Sequence, residues 1–245
     1  MIEKESFVRI NKYKEFKKDF NYNDPNYAFY YKFIKRPISY PLTWLVYKKT
    51  QLRPNTLSYM GFFLAFLSAL FFLEGSRVSL VIGALLFFAY DIFDDFDGII
   101  ARSKNIRSRR GGWLDILAGC IGKMIVVGAV AIGSFANTGD ITNLVLGIIS
   151  VIGMAAINNI DHVTKIRYSV VVQQKMKFVE TKPDPKTLAG KLSMLSEILF
   201  NVWLLLIILA GIFDMVNVFL MYSAAYYTIY PITLFFYLNR KYKNV

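Results

Sequence analysis

The sequence predicts an all-α integral membrane protein of six transmembrane helices preceded by an amphipathic helix in the membrane interface. Three observations predict it. Apolar residues make up 55% of the 245 residues, with 21 Phe and 16 Tyr, and the mean hydropathy is +0.39. That is too apolar for an ordinary soluble domain of this size. The apolar residues also come in long unbroken runs, which a soluble core does not need. Finally, a formal charge of +12 falls mainly between those runs, as expected of cationic loops held against anionic lipid headgroups. The partner this charge predicts is therefore an anionic membrane surface, with no nucleic acid.

The elements follow in order. Met1 to Lys18 is polar and charged, with no apolar stretch that could serve as a cleavable signal, so the N-terminus is expected in the cytosol. From Asn26 to Lys49, apolar and aromatic residues (Tyr27, Tyr30, Phe33, Ile34, Ile38, Leu42, Trp44 and Leu45) recur at helical steps among Lys32, Lys35, Arg36, Lys48 and Lys49. That pattern suits a helix in the interface with its basic side chains toward headgroups, started or bent by Pro37 and Pro41. With about 20 apolar residues needed to cross a bilayer, spans are expected at Leu57–Leu73, Val78–Ala101, Gly112–Phe135, Thr142–Val163, Ser193–Phe213 and Val216–Leu238. The domains are thus a cytosolic arm with its interfacial helix over residues 1–55 and a six-helix membrane domain over 56–245.

Orientation comes from the cations. The N-terminal arm, the Arg102–Arg110 loop, the Lys165–Lys191 loop and the Arg240–Lys243 tail are all basic and fall on one side. The opposite connections hold only Arg77. This predicts a multi-pass cell-membrane protein with both termini and the candidate site cytosolic. The Lys165–Lys191 loop, with Pro183 and Pro185, reads as flexible. The single cysteine, Cys120, excludes an internal disulfide and a cysteine-rich metal site. Four tyrosines of the last span, Tyr222, Tyr226, Tyr227 and Tyr230, read as packing or interfacial aromatics.

The chemistry is concentrated at the cytosolic end of the second and third spans. Asp91, Asp94, Asp95 and Asp97 stand within seven residues, and Asp115 opens the third span. Ionised carboxylates at membrane depth are costly, so they are expected to be paired, metal-bound or turned to a polar cavity. Asp94 and Asp97 can point together from one helix, and Asp115 enters at the same depth on its antiparallel neighbour. Such converging carboxylates suit a hard divalent cation such as Mg²⁺, whose usual role is to bridge phosphates. Gly98 allows close approach of a ligand. Arg102, with Lys104, Arg107, Arg109 and Arg110, offers phosphate ligands beside it. Lys123, about as deep in the third span as Asp91 in the second, is expected to form a buried ion pair with it.

The stretch DDFDGIIARSKNIRSRRGGWLDILAG, Asp94 to Gly119, resembles the signature of the CDP-alcohol phosphotransferase family. Asp94, Asp97, Gly98, Ala101, Arg102, Gly111 and Asp115 fall in register with Asp-x-x-Asp-Gly-x-x-Ala-Arg, eight residues, Gly, three residues, Asp. Upstream, Arg36 to Gly61 is similar to the family's interfacial helix and the Pro-Asn turn, at Asn55, that leads into its first span. The resemblance implies transfer of a phosphoalcohol from a CDP-alcohol or CDP-lipid donor to an acceptor alcohol, with release of CMP, in phospholipid or related polar-lipid synthesis. It implies that Asp94, Asp97 and Asp115 ligate Mg²⁺ or Mn²⁺, and that Asn55, Gly98, Ala101, Arg102 and Gly111 line the nucleotide and phosphate pocket. Family members are often homodimers, and the small residues of the third span (Ala118, Gly119, Gly122, Gly128, Ala129 and Gly133) suit either a dimer seam or internal packing.

The departure from the family is Gly119, where the signature has its last aspartate. A ligand and a proton acceptor are lost together, so of the one or two ions expected, the second is weakened. Three explanations stand. Another group supplies the base, with Asp95, His162 and Glu197 as candidates and with Asp91 and Asp161 also near in sequence or depth, while Asp115 acts with the metal. Or the transfer asks for little deprotonation early on. Or the chain is a catalytically silent relative that binds nucleotide or lipid. A transporter is disfavoured because the acids cluster at one face instead of crossing the bilayer.

Overall fold

The computed structural model describes the backbone at residues 13–19, 29–104, 106, 108–172 and 188–242, and the side chains at 17–19, 109, 161–172, 188–190, 192–193 and 240–242 lie outside the described set. Regular structure among these residues is helical throughout: α1 (Tyr13–Asp19), a π-helical turn (Tyr31–Lys35), α2 (Arg36–Lys49), α3 (Pro54–Glu74), α4 (Arg77–Ser103), α5 (Arg109–Thr138), α6 (Ile141–Val172), α7 (Leu188–Phe213) and α8 (Val216–Tyr242). The six long helices, α3 to α8, lie where the apolar runs predict them. Five of them, all but α4, are long and apolar enough to cross a membrane, which makes the chain a multi-pass membrane protein. One boundary differs from expectation. The first residues of the supposed Lys165–Lys191 loop continue α6 to Val172, while Pro183 and Pro185 fall outside the described residues, as does most of the N-terminal arm.

The helix ends follow from local chemistry. Pro54 opens α3 at a position where its missing amide costs nothing. Gly75 and Gly139 end α3 and α5 in the left-handed conformation, at φ 73° and 70°, which favours glycine. The Ser76 and Ser108 hydroxyls cap α4 and α5 by accepting from the amides of Ser79 and Gly111. The π turn has its reason in Pro37. With no amide on Pro37, the preceding turn widens, and the Arg36 N–H donates back to the Tyr31 carbonyl.

The long helices close into a ring. α3 packs on α4 and α5, α5 on α6, α6 on α8, α8 on α7, and α7 back on α4. Small residues allow the close approaches. A Cβ on Gly133 of α5 would collide with the Phe72 carbonyl of α3, and one on Gly153 of α6 with the Tyr227 carbonyl of α8. In α5, therefore, Gly133 serves internal packing, and so does Gly122, whose missing Cβ would crowd Tyr90 and Ala65. On the α4, α7 and α8 side the ring is filled by the fully buried Trp203. Its indole stacks on Phe200, meets Phe87 edge-on, and donates to the Ser223 hydroxyl at 3.0 Å.

Outside the ring, α2 lies against α4. The side it turns to the protein is polar, with Lys35, Arg36, Ser39, Tyr40, Thr43 and Tyr47 buried, while Phe33, Ile38, Leu42 and Leu45 are exposed. Two of the basic residues expected to face headgroups, Lys35 and Arg36, thus point inward. Lys35 is fully buried and reaches Asp91 Oδ1 at 3.1 Å and Asp95 Oδ1 at 3.2 Å. Tyr30 donates to the other oxygen of Asp91 at 2.7 Å. Burial pulls the Lys35 pKa down, but the carboxylates of Asp91 and Asp95 more than offset this and hold it well above the ordinary lysine value. Lys35 is therefore charged, and it replaces Lys123 as the expected partner of Asp91.

Removing one partner of a buried pair strands the other's charge. Lys35→Met is expected to cost about 3–5 kcal/mol of stability, read as a lowered unfolding midpoint in detergent. Lys35→Met combined with Asp91→Leu is expected to recover a large part of the loss. An unchanged midpoint in the single variant would mean that the pair does not hold α2 to α4.

Candidate active site

Two cavities open at the end of the ring where α4 runs into α5. The first, of about 330 Å³, is walled by the start of α3 (Pro54, Asn55 and Ser58), the end of α4 (Asp97, Gly98, Ala101 and Arg102) and the start of α5 (Ser108, Gly111, Gly112 and Asp115), with Ile106 from the connecting segment. Two helix N-termini, those of α3 and α5, therefore face one cavity, and their dipoles favour an anion. The glycines shape it. A Cβ on Gly111 would meet Ser108 Oγ at 3.0 Å and Asn55 Oδ1 at 3.3 Å, and one on Gly98 would sit 3.4 Å from Arg102 Nη1. The Arg102 guanidinium thus lies over Gly98, where an added Cβ would come into ordinary contact with it.

Asp97 is 4% exposed. Its Oδ2 accepts a hydrogen bond from Ser58 of α3, while its Oδ1 is buried without a hydrogen-bond partner. A buried carboxylate oxygen left unsatisfied is costly unless something positive comes to it.

The second cavity, of about 360 Å³, lies deeper between α5, α6, α7 and α8. Asp94, Asp115, Gly119, Cys120 and Lys123 line one side. Met154, Ile157, Asn158, Phe200, Tyr226, Tyr227 and Tyr230 line the other. Lys123 Nζ is 3.9 Å from Asp94 Oδ2 and donates to the Gly119 carbonyl at 3.4 Å. The Tyr90 hydroxyl donates to the same carbonyl at 3.0 Å. Asp115 lines both cavities.

Of the predicted site residues, Asn55, Asp97, Gly98, Ala101, Arg102, Gly111 and Asp115 are brought together on the first cavity, and Asp94 joins Asp115 on the second. Asp91 and Asp95 are taken by Lys35 instead. Asp95 and Glu197 line neither cavity, and the side chains of Asp161 and His162 lie outside the described residues. Lys104 turns away to donate to the Leu52 carbonyl at 3.2 Å. Lys123 pairs with Asp94, and not with Asp91 as expected. Ser108 and Asn158 carry no sequence signal that singles them out, whereas Ser58 holds the Ser position of the Pro-Asn-x-x-Thr/Ser turn. Tyr226, Tyr227 and Tyr230, read from the sequence as packing, also line a cavity.

A divalent cation fits these residues in part. Hard oxygen donors are present, and the unpartnered Asp97 Oδ1 is an atom that a cation would satisfy. Among the described residues, however, no three acidic, histidine or cysteine side chains form a ready-made cage. Water or substrate oxygens would have to complete the shell, as is usual for Mg²⁺.

The model of the CDP-alcohol phosphatidyltransferase family matches residues 51–230 of this chain. No curated protein matches it. The matched stretch contains both cavities and omits α1 and α2.

If the first cavity is an anion site, Arg102→Ala should weaken binding of a nucleoside diphosphate such as CDP by about tenfold or more, the size expected for a lost charge-assisted bond. Glu197→Gln should leave the affinity unchanged. Titration calorimetry in detergent reads both, and equal affinity in Arg102→Ala would place the phosphates elsewhere.

Proposed function

The chain belongs to the CDP-alcohol phosphatidyltransferase family, and from that premise we propose that it moves a phosphoalcohol from a CDP-alcohol or CDP-lipid to an acceptor alcohol, releasing CMP, in phospholipid or related polar-lipid synthesis. The observation that carries this reading is Asp115, the acid shared by two adjoining cavities. A donor in the first and an acceptor in the second would meet beside it.

In the first cavity, Asn55, Gly98, Ala101 and Gly111 shape the nucleotide pocket, and Arg102 with the α3 and α5 N-termini holds the pyrophosphate. The acceptor oxygen forms a bond to the β-phosphorus, and the bond from that phosphorus to the CMP oxygen breaks. The hydroxyl proton passes to Asp115, the acid placed to face the acceptor. Asp97 and Asp115 are the residues that would hold a Mg²⁺ or Mn²⁺ ion beside the first cavity, with Asp94, the third acid of the motif, next to Asp115 but paired with Lys123; such an ion, when bound, would neutralise charge on the pyrophosphate. Since transfer of this kind is mostly positioning and charge compensation, the rigid frame of α3, α4 and α5 is itself part of the catalyst.

The same reading makes α4 a sixth span. Its acids are compensated by Lys35, Lys123 and Ser58, and it fills the place in the ring between α3 and α7. The basic connections then put the cavities and both termini in the cytosol.

A second reading, a silent relative that binds nucleotide or lipid without turnover, is favoured by Gly119, which brings no carboxylate to the second cavity. The two separate in an assay of purified protein with Mg²⁺ or Mn²⁺ and a panel of CDP-alcohols and acceptors. The transferase releases CMP only when an acceptor is present, and Asp115→Asn lowers the rate at least about 10²-fold while CDP still binds. Saturable CDP binding with no CMP, and turnover that appears only in Gly119→Asp, would establish the silent relative.

A further inference from the structure

We propose that the Lys123 ammonium is a resident cation of the second cavity, standing beside Asp94 where a second divalent ion would have to bind, so that this chain holds a single divalent ion, at Asp97 and Asp115. The inference rests on the cation-assisted reading above.

Three observations carry it. First, the ammonium is already among the acids, 3.9 Å from Asp94 Oδ2. It donates to the Gly119 carbonyl at 3.4 Å and lies 5.7 Å from the centre of the Tyr90 ring. Second, a Cβ built on Gly119 would stand 3.4 Å from Asp94 Oδ1 and 3.7 Å from Lys123 Nζ. A side chain at 119 would therefore grow into the gap between Asp94 and the ammonium. A carboxylate there would face Asp94 and make a two-acid seat, whereas glycine leaves that seat unmade with the ammonium at its edge. Third, the acids are divided among fixed cations. Lys35 takes Asp91 and Asp95, and Lys123 takes Asp94. That leaves Asp97, whose Oδ1 is buried without a hydrogen-bond partner, and Asp115 on the shared wall of the cavities. Two carboxylates completed by phosphate oxygens and water are the usual complement of one Mg²⁺. A dication placed beside Asp94 would meet the ammonium a few ångströms away in a half-buried cavity, where like charges are poorly screened.

The ammonium then does electrostatically, at a fixed point and with no loading equilibrium, part of what a second ion does. It cannot coordinate, but its three N–H donors can hold an oxygen atom entering the second cavity.

The test counts ions and needs no turnover. The full-length protein in detergent is titrated with Mn²⁺, with free ion followed by electron paramagnetic resonance. Wild type is expected to bind one Mn²⁺ per chain, and Asp97→Asn to lose it by at least about tenfold in affinity. Lys123→Gln is expected to keep the first ion and gain a second, weaker one, and Lys123→Arg to stay at one. If Lys123→Gln does not fold, Gly119→Asp serves instead. It is expected to stay at one ion while Lys123 is present and to reach two in Gly119→Asp/Lys123→Met. Two ions of similar affinity in wild type, or one ion in every variant lacking the ammonium, would overturn the assignment of Lys123 alone. Absence of Mn²⁺ binding in wild type and variants would overturn the cation-assisted reading together with it.

Discussion

The constraint on which the rest of this structure depends is the need to compensate the carboxylates of α4. Unpaired, such charges would be too costly to hold in a membrane-embedded ring. The chain compensates them from three directions. Lys35 arrives from the π turn before α2, Ser58 from α3, and Lys123 from α5. Each compensation also fixes a helix. The Lys35 contacts turn the polar side of α2 inward and leave Ile38, Leu42 and Leu45 exposed, the Ser58 contact joins the start of α3 to the end of α4, and Lys123 joins α5 to α4. Packing and electrostatics therefore solve the same problem, and small residues such as Gly133 and Gly153 let the helices come close enough to do so.

Compensation is uneven, and the unevenness locates the chemistry. Asp91 and Asp95 are satisfied by a fully buried lysine and by Tyr30, so their role is structural. Asp97 keeps one buried oxygen unsatisfied, and Asp115 stands between two cavities of comparable size. A protein that leaves a buried polar atom without a partner invites a ligand to supply one. The helix termini, Arg102 and the glycines beside them suit that ligand to be a phosphate with its counterion. The family match over residues 51–230 covers both cavities but neither Lys35 nor Tyr30, while Gly119 and Lys123 give the second cavity a character of its own.

The six long helices and most residues lining the first cavity were legible in the sequence. Apolar runs fix where the long helices lie, and a fixed spacing along two antiparallel helices brings Asp97, Gly98, Arg102, Gly111 and Asp115 to one end. Pairings between distant segments were not legible. Lys123 was matched to Asp91 by estimated depth, but depth along a helix says nothing about azimuth, and in α4 Asp94 is turned toward α5 while Asp91 is turned toward α2. For the same reason periodicity left Phe33, Ile38, Leu42 and Leu45 exposed as expected but assigned Tyr30, Lys35 and Arg36 to the wrong environment. The pattern distinguishes two faces without saying which one meets protein. Tyr226, Tyr227 and Tyr230 read as packing because aromatic residues in a span serve packing and cavity walls alike.

By itself, then, the sequence determined the class of protein, the order of its helices and the motif residues that meet at the end of α4 and the start of α5, because each of these depends on local periodicity or on spacing within one hairpin. Only the tertiary structure decided which cation each buried acid receives, that Asp115 belongs to two cavities, and that Lys123 stands where Gly119 leaves room. Those depend on how the ring closes and how each helix is rotated within it. Rotation is set by the combined packing of neighbours far apart in the chain, and no single segment of sequence records it.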